Sequence, residues 1–499
     1  MGRGTLRIVQ LGAVAVVVAA TPREVFDLDR FLVPKEIVLH ATAVLAGLFA
    51  LRRIALARID WLLLGYLLLS AVSVVFATNP WVGMRAVALS ASAVMLFWIG
   101  RSLREAGLAR SLVNALAFAV VLAAVTALLQ AYGLELTIFP RSRAPGGTLG
   151  NRNFVGHAAA FGLPLVLLAA FRARRFALAF PGVAIVAASL VLTRSRAAWL
   201  ACAVSLLVFF VAMLISRATP WKRVAGVVVF AIVGVVAALV IPNALRWRSD
   251  NPYLESVQGV VNYEEGSGRG RLIQYTHSLR MAAAYPILGV GPGNWPVRYP
   301  EYAARNDGSL NGSEPGTTFN PWPSSDWVAF VSERGFAAAM VLAIVLAMLF
   351  FRGWTQLRAE NVEERWEAST LLATITAACV AGAFDAVLLL ALPSFIVWTT
   401  LGALTSFQPP SAIRQRGMAI VMIVVSLFGV VRSTAQLVAM EIYATRGDRA
   451  SLERAARIDP GNYRVRMRLA RKGRCEHARA ARSLFPNAQA ARAAARRCR

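Results

Sequence analysis

The chain has 499 residues, 57% of them hydrophobic, with a mean hydropathy of +0.57, which excludes an ordinary soluble globular domain. Its net charge of +27 would suit a nucleic-acid partner. In a membrane protein, however, basic cytoplasmic loops and a basic tail account for such a charge, so no nucleic-acid partner is expected.

Taken in chain order, the apolar runs each approach the ~20 residues that a helix needs to cross the hydrocarbon core. They predict spans near 5–21, 34–51, 60–77, 83–100, 110–132, 153–170, 176–193, 196–216, 222–241, 326–351, 368–390, 393–407 and 416–436. The expected fold class is all-α, a polytopic helical membrane protein with about 12–13 transmembrane helices and one large outer loop, 242–325. The first run has a basic start but no small-residue cleavage site before Thr21-Pro22-Arg23, so it is read as a span rather than a signal peptide. The run at 393–407 is short, and whether it crosses decides the side on which the C-terminus lies.

Basic loops at 51–58, 101–110, 172–175 and 217–223 alternate with less basic ones, which sets those four loops and the N-terminus inside. The loops 22–33, 78–82, 133–152, 193–196 and 242–325 then face out, and thirteen spans put the tail outside as well. Cys202 and Cys379 fall in apolar runs. Cys475 and Cys498 fall in the tail and could pair there if it is extracytoplasmic. The four histidines are scattered, no metal-ligand spacing is present, and no metal or other cofactor is expected.

Residues 441–499 change character, with 16 Lys and Arg against 5 Asp and Glu and no run of membrane length. Leu452–Tyr463 is similar to the junction between two tetratricopeptide helices, and Leu484–Ala488 to a weaker second copy. The expected division is a transmembrane domain over 1–440 and a short basic helical tail over 441–499.

Several arginines sit on the outer side, where topology does not ask for them: Arg152, Arg194, Arg196, Arg271 and Arg280 among others. Charge at membrane depth is costly, so a set on one face points to function, with snorkelling to headgroups as the bland alternative. Around them lie Gly147-Thr148-Leu149-Gly150-Asn151-Arg152-Asn153, Thr193-Arg194-Ser195-Arg196, Arg271-Leu272-Ile273-Gln274-Tyr275, Gly289-Val290-Gly291-Pro292-Gly293-Asn294 and Glu333-Arg334-Gly335. In this order they resemble the O-antigen ligase superfamily, which also holds Wzy-type polymerases and protein O-oligosaccharyltransferases. The resemblance covers roughly 20–407.

That resemblance implies a membrane glycosyltransferase that works without a metal at the periplasmic face of the bacterial inner membrane. The donor would be an undecaprenyl-pyrophosphate-linked glycan, and the acceptor hydroxyl would belong to lipid A–core, a growing glycan or a protein. The ligase type with a lipid A–core acceptor is the first expectation, a Wzy-type O-antigen or exopolysaccharide polymerase or a protein O-oligosaccharyltransferase the alternative, and a non-enzymatic transporter or an inactive relative comes after these. Transporters carry charge deep within several spans, whereas most charges here cluster at the outer boundary, with Asp385 the main exception. By motif match Arg196 and Arg271 are the first pyrophosphate ligands, followed by Arg152, Arg194 and Arg280, because a guanidinium holds a leaving pyrophosphate by fixed charge. Asn151 and Asn153 either bind sugar or cap a helix, while Gly291, Gly293 and Asn294 contact glycan or shape a turn. The family pattern puts a histidine base where this chain has Ser324. Asp326 is therefore the first candidate base, with Glu333 and His277 as alternatives, and Asp326 as a helix cap is the bland reading.

Overall fold

The computed structural model describes residues 2–26, 28–173, 176–259, 266–406 and 416–498, with the backbone alone described at 176–179 and 267. Arg174 and Arg175 of the third basic loop therefore lie outside the described residues, as do Phe407 and Arg499. The first nine helices are α1 (Gly2–Val18), α2 (Asp29–Ala50), α3 (Arg58–Val75), α4 (Pro80–Glu105), α5 (Ala109–Ala131), α6 (Arg152–Arg172), α7 (Phe176–Leu192), α8 (Arg196–Ile215) and α9 (Trp221–Val240). The loop region carries α10 (Pro252–Gln258), α11 (Gly266–Ala284) and α12 (Trp295–Arg298). Four long helices follow, α13 (Asp326–Gln356), α14 (Val362–Phe384), α15 (Ala391–Leu404) and α16 (Arg416–Thr445). The tail forms α17 (Arg449–Ile458), α18 (Tyr463–Arg471), α19 (Cys475–Leu484) and α20 (Gln489–Arg496), and no strand occurs among the described residues.

Each predicted apolar run became a helix, and ten of these helices are long and apolar enough to cross a membrane. The protein is thus an all-α multi-pass membrane protein. Several boundaries moved outward, two of them with a bearing on the fold. α2 starts at Asp29 rather than 34, since Arg30 finds the carbonyl of Phe139 at 3.0 Å and so can be buried in the first turn. α16 runs on to Thr445, past the expected domain edge at 440.

At one end of the bundle the basic loops meet carboxylates. Arg104 and Arg172 both bond Glu367, and Arg101 pairs with buried Asp60 at 2.8 Å. Charges this deep are tolerated because each has a partner. The opposite end carries the long loop, and a glycine-rich turn fastens that loop to the bundle. Inside α13, Gly335 has φ 78°, and the kink it makes frees backbone groups that the turn takes up. Val290 N–H donates to Ser332 O (3.0 Å), Gly291 N–H to Glu333 O (2.9 Å) and Phe336 N–H to Pro286 O (2.9 Å). A side chain at Gly335 would run into the Ile287 carbonyl, and one at Gly289 into the backbone of Glu333.

α15 has only 14 residues, all buried. At 1.5 Å per residue it spans about 21 Å, less than the ~30 Å hydrocarbon thickness. The irregular stretch 385–390 leads into it. Backbone of this kind survives at depth only where protein satisfies it, and here the Asp326 carboxylate accepts from Val387 N–H (3.0 Å) and Leu388 N–H (2.8 Å).

Candidate active site

A cleft of about 460 Å³ opens at the loop end, between the start of α6, the face of α11, the segment before α13 and the break after α14. Among its lining residues are Arg143, Arg152, Arg271, Asn153, Ser324 and Asp385. Among the described residues, three arginines and one carboxylate thus line it. None of the three forms an ion pair among the described residues, in contrast to the arginines at the other end of the bundle.

The start of α6 delivers two of these groups. Asn151 is the N-cap, its side chain accepting from Asn153 N–H at 3.0 Å, so the capping alternative holds for Asn151 even though it borders the cleft. Arg152 follows, its guanidinium 5.0 Å from the centre of the Trp247 ring. Asn153 turns the other way, and its Nδ2 donates to Asp385 Oδ2 at 3.3 Å. Asp385 also accepts from Ala386 N–H at 2.8 Å and stays partly open to the cleft. Ser324, at the position of the family histidine, shares this wall. The Tyr275 hydroxyl ties the wall together, 2.7 Å from the Ser324 carbonyl and 2.8 Å from that of Ala383.

The other residues singled out from sequence are placed elsewhere. Arg194 stacks on the same Trp247 ring at 4.7 Å and pairs with Glu255 at 3.1 Å, which leaves it at the cleft margin. Arg196 donates to the Gly259 carbonyl, so α10 is its neighbour. Arg280 lies nine residues beyond Arg271 on α11, on the opposite, exposed face of that helix. Of the five arginines favoured by motif, Arg152 and Arg271 are the two that line the cleft, and Arg143, another of the outer-side arginines, joins them.

The three base candidates are held by structural tasks. Asp326 is fully buried and directed at Val387 and Leu388, while Ser325 is the N-cap of α13. Ser325 thus takes the capping place that the bland reading gave to Asp326. Glu333 is 2% exposed and accepts from Gly293 N–H (2.8 Å) and Trp295 N–H (3.2 Å), which locks the glycine turn to α13. His277 Nδ1 lies 2.8 Å from Asp307 Oδ2, and Tyr299 donates to the same oxygen at 2.6 Å. Burial alone would raise the Asp307 carboxyl, but the hydrogen bonds from Tyr299, Ser309 and His277 hold it below the ordinary range. Gly291 and Gly293 have φ 100° and 68°, and buried Asn294 bonds both backbone groups of Asn79, so these three residues shape the turn.

Asp385 is the residue that sequence reasoning noticed only as an outlier. Its signal was a carboxylate inside an apolar stretch, in Gly382-Ala383-Phe384-Asp385. Arg143 belonged to the outer-side set of arginines but to no motif, because its place depends on how the 132–151 loop returns to the bundle.

A helical membrane protein with a cationic cleft at one face, closed by a long loop, is the class that fold and site define. Residues 181–343 match the family model described as O-Antigen ligase, which supports a relation of that stretch to the O-antigen ligase superfamily. The match supports a membrane glycosyltransferase of ligase or polymerase type. No curated protein resembles the chain closely enough to count as a match.

Proposed function

We propose that the protein transfers a glycan from undecaprenyl pyrophosphate to an acceptor hydroxyl, as an O-antigen ligase with lipid A–core as acceptor. It would reside in the bacterial inner membrane with its cleft open to the periplasm. The observation that carries this reading is a polar cleft lined by three arginines, none of them ion-paired among the described residues, and by the carboxylate of Asp385. A leaving pyrophosphate needs fixed positive charge aimed at the oxygen on which negative charge develops. Arg143, Arg152 and Arg271 provide it, and their planar forks suit phosphate oxygens. Asp385 accepts the proton of the acceptor hydroxyl as its oxygen attacks sugar C1. The C1–oxygen bond to the phosphate breaks, and undecaprenyl pyrophosphate departs. Asn153 orients the Asp385 carboxylate through the bond to its Oδ2.

Orientation rests on two independent features. The basic loops gather at the end away from the cleft, as cytoplasmic loops do. Cys475 and Cys498 form a disulfide, which suits an oxidising compartment for the tail. The test is the glycan profile of a strain lacking the protein. Undecaprenyl-linked polymer that accumulates without reaching lipid A–core supports the ligase reading, single repeat units would indicate a polymerase, and an unchanged profile would refute both.

A further inference from the structure

A second and larger cavity, about 790 Å³, adjoins the cleft and shares Arg143, Asn320 and Trp322 with it. Its floor is made by the loop-side ends of α2, α4 and α16. Its roof is made by the tail: Asp459, Gly461, Tyr463 and Arg464 at the α17–α18 turn, with Phe485 after α19. The tail is fastened in this position. Tyr463 donates to Glu314 at 2.9 Å, Asn487 to the Val297 carbonyl at 3.1 Å, and Gln489 N–H to the Pro315 carbonyl at 2.9 Å.

The two cavities differ in charge. Seven arginines line the second one, but six carboxylates line it too. Arg85 is held by Glu36 at 2.7 and 2.8 Å, Arg141 by Glu24 at 2.9 Å, and Arg432 by Asp459 at 3.6 Å. A phosphate would meet those carboxylates, and a purely apolar chain would strand the paired charges away from water. Six aromatic rings also line the space, among them Phe31, Phe319, Trp322 and Tyr463. Flat apolar faces set among paired charges, hydroxyls and amides match a saccharide, which offers hydroxyls at its edges and C–H faces to rings.

Resting on the ligase reading above, we infer that this cavity is the acceptor site, that it takes the uncharged saccharide portion of the acceptor, and that the C-terminal tail is its specificity-determining wall. Donor phosphates and acceptor sugar would then meet at Arg143, Asn320 and Trp322, beside Asp385.

The experiment uses the full-length protein in nanodiscs and follows tryptophan fluorescence during two titrations. One ligand is inorganic pyrophosphate and the other is deacylated, dephosphorylated core oligosaccharide. In Tyr463→Ala and in Ser313→Trp, which fills the cavity from an exposed loop position, saccharide affinity should fall ~10-fold or more, with pyrophosphate affinity unchanged. Arg271→Ala should show the reverse. Because Tyr463→Ala could loosen the tail, Tyr463→Phe serves as the conservative control and should retain most of the saccharide affinity. Saccharide affinity unaltered in both cavity variants, or absent from the wild type, overturns the inference. Pyrophosphate that fails to bind the wild type while saccharide binds would sink the donor-site reading and leave the acceptor site standing.

Discussion

Asp326 and Asp385 lie at opposite edges of one break in the helical bundle, and their surroundings assign them different work. Asp326 gives its oxygens to the backbone of 387–388, whereas Asp385 presents an oxygen to the cleft. Asp385→Asn should therefore lower transfer by a factor on the order of 10²–10⁴ with thermal stability retained. Asp326→Asn turns an amide donor towards N–H groups that need acceptors. It should destabilise the protein by about 1.5–3 kcal/mol, read as a lower unfolding temperature in detergent, while the folded fraction keeps its specific activity. If Asp326→Asn abolished turnover in fully folded protein, the two roles would have to be exchanged. Arg152→Ala and Arg271→Ala should each cost ~3 kcal/mol or more in transition-state stabilisation, with partial rescue by Lys. Arg280→Ala, on the far face of α11, should turn over normally. At this scale the sequence singled out the outer-side arginines but not which of them meet in one cleft. Arg194 and Arg196 were drawn away by Trp247, Glu255 and Gly259, partners some 50–60 positions distant in the chain that no local pattern announces.

Among the elements, the α13 kink and the glycine turn act as one clasp that holds the long loop over the bundle. Gly335→Ala would force a left-handed backbone and a collision with the Ile287 carbonyl. Strain of this kind costs on the order of 1–3 kcal/mol, and its expected sign is faster proteolysis of 242–325 with the transmembrane helices intact. Equal proteolysis rates for variant and wild type would mean that the clasp is not what holds the loop. The His277–Asp307–Tyr299 group is a second fastening, and its pH response has a definite sign. Because the Asp307 carboxyl is held below its ordinary value of about 3.9, its contribution is full above that value and fades only as pH falls through the lowered one. Loop protection from protease should therefore stay constant between pH 5 and 8. The helices themselves were legible because each needs a long apolar run, and α13 was placed at its first residue. The broken stretch 385–390 was not legible, since its stability comes from a carboxylate some 60 residues earlier in the chain.

For the whole molecule, thirteen predicted crossings became thirteen helices, among them the short α15, which packs closely on α4 through Gly100 and Gly402. The tail lies on the cleft side, where it touches the long loop through Tyr463, Asn487 and Gln489, and the proposed topology sets that side outside. A reporter active only in the periplasm should work when fused behind the tail, and an inactive one there would reverse the topology. The tail's four helices could be anticipated from its composition, but its docking over the second cavity could not, because that depends on surfaces far apart in sequence. The most direct test of the proposed chemistry is reconstitution of the purified protein in proteoliposomes with an undecaprenyl-pyrophosphate-linked glycan and lipid A–core. Under the proposed arginine mechanism, glycan should appear on lipid A–core and undecaprenyl pyrophosphate should be released in equal amounts with excess chelator present, and Arg271→Ala should stop both. Transfer that vanishes with chelator and returns with Mg²⁺, or that persists in Arg271→Ala, would contradict the arginine cleft as the site of reaction.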